Sequence, residues 1–186
     1  GGPGEAKDWR YNGMAVAERQ DFGQGIVFSE MLSDQPGHAM QLLDKARGDV
    51  TVIPTNGVAL GGRMFLHYMG VREWGKPGAW TLSGSGLAYS DDLGATWTKD
   101  SPVRWQGDSN FGQVAFVKEG EYLYLFGIPG GRFGGVRLAR VRAEWVLEPA
   151  QYEYLRGLEG GAPQWVAAEA EAREIIAAPV GELSVV

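Results

Sequence analysis

Apolar positions in this chain come in short runs broken by glycine, and several runs alternate with polar residues at a period of two. That period marks a strand with one buried face. Such runs lie at 13–18, 25–31, 50–54, 58–60, 64–71, 86–90, 112–117, 122–127, 136–141 and 145–147, with turn residues between them. Within 136–141, Arg137 and Arg140 fall among Val136, Leu138 and Val141, as on a half-buried strand. A short helix is predicted at 37–47 from Met40, Leu42 and Leu43, and 167–174 reads as strand or loop despite some helical propensity. The predicted fold class is all-β.

The runs repeat. Gly57-Val58-Ala59-Leu60, Gly61-Gly62 and Met64-Phe65-Leu66-His67-Tyr68 make one copy. Phe111-Gly112-Gln113-Val114-Ala115-Phe116-Val117, Glu119-Gly120 and Tyr122-Leu123-Tyr124-Leu125-Phe126 make the next, roughly 50–58 residues on. Each continues through a Gly-rich loop into a third strand and then a turn leading to Trp97 or Trp145. Four antiparallel strands per unit is the size of a β-propeller blade. A further copy begins at Gly181-Glu182-Leu183-Ser184-Val185-Val186, and residues 9–31 read as outer strands of an earlier one. About three blades are expected, in a single partial propeller domain over 1–186 with a flexible N-terminal loop at 1–8. Open sheet edges invite other chains. The expectation is therefore a piece of a larger propeller, or one that completes itself by self-association through those edges.

Composition narrows the chemistry. Gly is 29 of 186 residues, aromatics are 11% and seven are Trp, which suits many tight turns joining short strands. No apolar run approaches the length of a membrane span. A net charge of −6 without blocks of like charge argues against a nucleic-acid partner. The absence of Cys removes disulfides, Cys-ligated zinc and a Cys nucleophile, and two His leave little for a metal site or a Ser-His-Asp triad. No metal or cofactor is expected.

Ser90-Asp91-Asp92-Leu93-Gly94-Ala95-Thr96-Trp97 fits the Asp-box pattern of sialidase-like propellers. Its mechanics are those of a turn, in which Ser and Asp side chains cap and Gly supplies a permissive backbone. In a four-stranded meander that turn lies opposite the end where the strand-1 starts meet the strand 2–3 loops. At the latter end the sequence places amides, carboxylates, Arg and exposed aromatics. Aromatic faces stack on sugar rings while amides and guanidinium groups bind hydroxyls. The candidate binding residues are Asn56, His67, Arg72, Glu73, Trp74, Trp80, Asn110, Gln113 and Arg132. His67, mid-strand beside Tyr68, reads equally as a hydrogen-bonded core histidine. The candidate catalytic residue is Glu182.

The run from Ile53-Pro54-Thr55-Asn56-Gly57 through Arg63-Met64-Phe65-Leu66-His67-Tyr68-Met69 to Val71-Arg72-Glu73-Trp74-Gly75-Lys76-Pro77-Gly78-Ala79-Trp80 resembles a family of actinobacterial secreted proteins. So do Gly130-Gly131-Arg132-Phe133-Gly134-Gly135-Val136 and Gly181-Glu182-Leu183-Ser184-Val185. That family was long labelled only as a domain of unknown function, and some members are classed as endo-D-arabinanases acting on the arabinan of the mycobacterial envelope. The resemblance implies a five-bladed propeller, a location outside the cytoplasm and a polysaccharide partner. It also implies an earlier segment with Asp residues, which this sequence lacks, and a continuation past Val186. Glycoside hydrolysis needs two carboxyl groups. The expected function is hydrolysis of an arabinan-like envelope polysaccharide; the alternatives are a non-catalytic carbohydrate-binding or protein-interaction propeller. A sialidase is disfavoured, since no arginine triad or Tyr–Glu pair occurs at that family's spacing.

Overall fold

In a computed structural model, residues 9–17, 23, 25–101 and 104–185 are described. The expected loop at 1–8, the end of the strand at 13–18 and Val186 lie outside them. Two antiparallel meanders carry the fold. The first runs β5 (Thr51–Leu60), β6 (Arg63–Trp74) and β7 (Trp80–Ser90), and β7 then pairs with both β8 (Thr98–Lys99) and β9 (Trp105–Gln106). The second runs β10 (Gln113–Glu119), β11 (Tyr122–Ile128) and β12 (Gly134–Arg142), and β12 pairs with both β13 (Glu153–Glu159) and β15 (Glu174–Val180). A further strand, β14 (Ala162–Val166), lies on the far side of β13. Ahead of the meanders are two small ribbons, β1 (Ala15–Val16) with β2 (Glu30–Met31), and β3 (Ser33–Gln35) with β4 (His38–Ala39).

The fourth strand is thus split in both meanders, at Ala88–Tyr89 against Gly84–Ser85 in one and at Ala139–Arg140 against 134–137 in the other. Hairpin turns follow from glycine. Gly61-Gly62 and Gly160-Gly161 have positive φ at both positions, which gives the twist that two-residue hairpins need. Among the described residues there is no α-helix, only single-turn 3-10 segments at Ala143–Trp145, Pro149–Gln151 and Glu169–Glu171.

Those facts correct several expectations. The helix at 37–47 does not form. Gly37, at φ 76°, closes the β3–β4 hairpin, and the buried Asn12 then captures the following backbone. Its Oδ1 accepts from Leu42 and Leu43 N–H at 2.8 and 2.9 Å, and its Nδ2 donates to Leu43 O at 3.0 Å. The strand at 145–147 is replaced by the end of a 3-10 segment and the turn after it, where Arg104 and Tyr152 hold the carbonyls of Val146 and Leu147. By contrast 167–174 agrees with the strand-or-loop reading, being a loop with one 3-10 turn that ends at Glu174, the first residue of β15, while the strand expected at 181–185 does not form. The runs at 50–54 and 58–60 are one strand.

One core joins the two meanders. Leu60, Phe65 and Leu87 from the first pack with Val114, Leu123, Leu125 and Val141 from the second, through Trp105 and Phe111. Trp105 stacks on Phe111 at 6.2 Å, and Phe111 meets Tyr154 edge-on at 5.3 Å. Each such buried side chain contributes about 1.5–3 kcal/mol. Polar groups fix the junction. Arg104, with its side chain 3% exposed, ion-pairs with Asp100 and donates to Val146 O at 3.0 Å and Leu147 O at 3.1 Å. It therefore ties the outer edge of the first meander to the second.

Replacing Arg104 by Ala leaves a mostly buried carboxylate unpaired and Leu147 O without its donor, while Val146 O keeps the Tyr152 hydroxyl. The expected loss is about 3–5 kcal/mol, read as a lowered urea midpoint. A loss below about 1 kcal/mol would show that the junction does not rest on this group.

Candidate functional site

The two loops expected to meet at one end of the sheets are tied to each other. Residues 75–79, between β6 and β7, close through Gly75 N–H to Ala79 O at 2.9 Å and Ala79 N–H to Lys76 O at 2.8 Å. Arg132 N–H, from the β11–β12 loop, donates to Gly78 O at 2.8 Å. Gly78 and Gly131 face one another at this crossing, with φ of 82° and 90°, a region other residues enter only with strain. Gln113 holds the second loop from below. It is 4% exposed, and its Nε2 donates to Pro129 O at 3.1 Å and Gly131 O at 2.8 Å.

Between the tied loops and the strands lies a cleft of about 390 Å³. Its apolar floor is Ile53, Pro54, Met69 and Val114. Trp74 and Trp80, directly paired across β6 and β7, meet edge-to-face with centroids 5.9 Å apart. Trp74 is half exposed, and the buried indole N–H of Trp80 has no hydrogen-bond acceptor. The Arg132 guanidinium lies 5.9 Å from the Trp80 ring and donates to Glu182 Oε1 at 2.8 Å. Both charged side chains are more than half exposed, so their pairing contributes orientation more than stability.

The cleft thus brings together Trp74, Trp80, Gln113, Arg132 and Glu182, and leaves out the other candidates. Asn56 is committed to the junction, where its Oδ1 accepts Phe116 N–H at 3.3 Å. Arg72 turns toward the buried carboxylate of Asp49 at 3.5 Å, and Glu73 is exposed on β6 beside it. Asn110 gives its backbone N–H to Glu169 Oε1 at 3.0 Å. His67 is fully buried. Its Nε2 faces the carbonyl of Phe111 at 3.2 Å, so Nε2 carries the proton and Nδ1 accepts from the Thr55 hydroxyl at 2.7 Å. Burial pushes its pKa down to about 3, and the nearby Arg104 pushes in the same direction against the Phe111 carbonyl. Its position is in the core. Thr55 and Leu183 line the cleft without having been singled out; Pro54-Thr55 at a polar strand start was the available signal.

The Asp box is a turn at the opposite end. Asp92 Oδ1 accepts Thr96 N–H at 2.8 Å and Oδ2 its hydroxyl at 2.6 Å, while Ser90 Oγ accepts Gly94 N–H at 2.8 Å. These hydrogen bonds, Thr96 foremost, hold the Asp92 carboxyl at a pKa of about 2. Asp91 pairs with Arg63.

Glu182 is the one carboxylate among the described residues lining the cleft. The described residues hold no group of three or more His, Cys, Asp or Glu able to share a metal ion, and no helix long and apolar enough to cross a membrane. The sequence matches the family described as Domain of unknown function (DUF4185) over residues 1–186. The chain belongs to that family. Among curated proteins none matches it. For this DUF4185 domain the cleft is therefore read from its own chemistry.

His67 sets a pH dependence. Between about pH 6.5 and pH 3 the unfolded chain binds a proton on this residue that the folded chain excludes. Stability is fully present above pH 6.5 and falls with falling pH by on the order of 1.4 kcal/mol per unit. His67→Gln is expected to be less stable at pH 7, with the difference from the parent shrinking toward pH 4 in urea titrations. Parallel stability curves would contradict the buried neutral imidazole.

Proposed function

We propose that this domain binds a neutral, arabinan-like polysaccharide of the cell envelope in the Trp74–Trp80 cleft, and that it acts outside the cytoplasm as a β-propeller of glycoside-hydrolase type. The observation that carries the binding reading is the edge-to-face tryptophan pair beside the mutually neutralised Arg132–Glu182 pair. One indole face is open to a sugar ring, and the guanidinium and carboxylate are placed to bind hydroxyls. The propeller reading is supported by two antiparallel meanders set with β5 beside β10, each meander running outward from that strand.

Hydrolysis is the stronger form of the same reading. In that form Glu182, which lines the cleft, serves as one carboxyl of the pair that glycoside cleavage requires, as nucleophile or base. The described lining offers no second one, so binding is the part that the cleft carries unaided. A non-catalytic carbohydrate-binding domain is the reading favoured by that single carboxylate.

Calorimetric titration with soluble arabinogalactan fragments tests the proposal. Trp74→Ala and Arg132→Ala should each weaken binding about tenfold, near 1.4 kcal/mol, with the thermal midpoint little changed. If the parent chain releases reducing ends, Glu182→Gln should abolish release and leave binding intact. An absence of any arabinogalactan binding by the parent chain would contradict the reading.

A further inference from the structure

A second hollow of about 320 Å³ opens at the other end of the second meander, around Tyr122, Arg142, Trp145, Gln151 and Trp165. Tyr122 pairs with Glu119 and Arg142 at the end of the ladder away from Gln113, which pairs with Ile128. The seven residues of β10 separate the two ends by about 20 Å.

The hollow repeats the constellation of the first cleft. Trp80 has Arg132 over its ring, Arg132 is bound to Glu182, and the indole N–H is buried without an acceptor. Trp165 has Arg140 over its ring at 4.1 Å, Arg140 donates to Glu153 Oε2 at 2.7 Å, and its indole N–H is likewise buried without an acceptor. Among the described residues no other tryptophan has a buried indole N–H in that state. Such a donor is costly to leave unmet and calls for an explanation. Each site also shows a half-exposed tryptophan at its rim, Trp74 at 50% and Trp145 at 41%.

The charges indicate the ligand class. Arg140 is neutralised by Glu153, and Arg142 by Glu121 and Glu144, both at 3.1 Å. A bound anion would have to displace these carboxylates. A neutral ligand with many hydroxyls can stack on Trp145 and use Gln151, Glu153 and Arg142 without breaking the pairs. We infer that this hollow is a second saccharide-binding site, which engages a long glycan chain at the end of the domain opposite the Trp74–Trp80 cleft. The inference rests on the glycan-binding reading above.

Native electrophoresis through a gel containing soluble arabinogalactan separates the two sites. Trp145→Ala and Gln151→Ala, both surface changes, should each weaken retardation three- to tenfold with an unchanged thermal midpoint. The double variant Trp74→Ala/Arg132→Ala should keep a residual retardation that adding Trp145→Ala abolishes. If the parent chain is retarded but neither Trp145→Ala nor Gln151→Ala reduces the effect, or if the double variant keeps none, the second site is overturned and the first stands. An unretarded parent chain overturns both.

Discussion

Two sheets that share no backbone ladder must still be held in one register, and this constraint governs the rest of the molecule. β5 and β10 lie side by side, yet each pairs through its backbone with its own meander only. β10 is therefore bound to β5 by side chains. Val114 N–H reaches Thr55 Oγ1 at 3.4 Å and Phe116 N–H reaches Asn56 Oδ1 at 3.3 Å. Two consecutive residues of a regular strand point to opposite faces. The β-bulge between Pro54 and Asn56 removes that obstacle. Pro54, with no N–H to give, is a natural place for the ladder to break.

The junction reaches the cleft through few links. Thr55 is at once the bulged residue, the donor to His67 and part of the cleft wall. Behind it, the Phe111 carbonyl receives both His67 Nε2–H and the Ser85 hydroxyl, the latter at 2.8 Å, which fixes the crossover between meanders. Gln113, two residues on, fastens the loop that carries Arg132. Arg132, the cleft-lining side chain on that loop, is thus positioned by a buried polar contact one residue away.

Much of this was legible in the residues. Alternation located the long strands, the Gly-Gly turns located hairpins, and strand order placed Trp74, Trp80, Gln113, Arg132 and Glu182 at one end. What could not be read were the faces. Bulges at Ser83 in β7 and at Arg72 in β6 break the alternation, so Arg72 reaches Asp49 while Trp74 lines the cleft. The same limit hid the commitment of Asn56 to the junction, whereas the core reading of His67 was open from its place mid-strand. β13 and β15 were missed for a different reason: β15 is largely exposed and has no buried face, and β13 buries the adjacent Tyr154 and Leu155, which make no alternation. The false helix at 37–47 arose because the backbone N–H groups of Leu42 and Leu43 find their acceptor in one distant side chain, Asn12, which the local apolar spacing does not reveal.

The proposed meeting place of glycan and protein is the Trp74–Trp80 cleft. The most direct measurement follows the indole N–H resonances of a ¹⁵N-labelled sample while soluble arabinogalactan oligosaccharide is added. Trp80, whose buried indole N–H lacks an acceptor, should shift together with Trp74 and saturate along one binding curve. Saturable shifts confined to other tryptophans, with Trp74 and Trp80 unmoved, would place the ligand elsewhere and contradict the account.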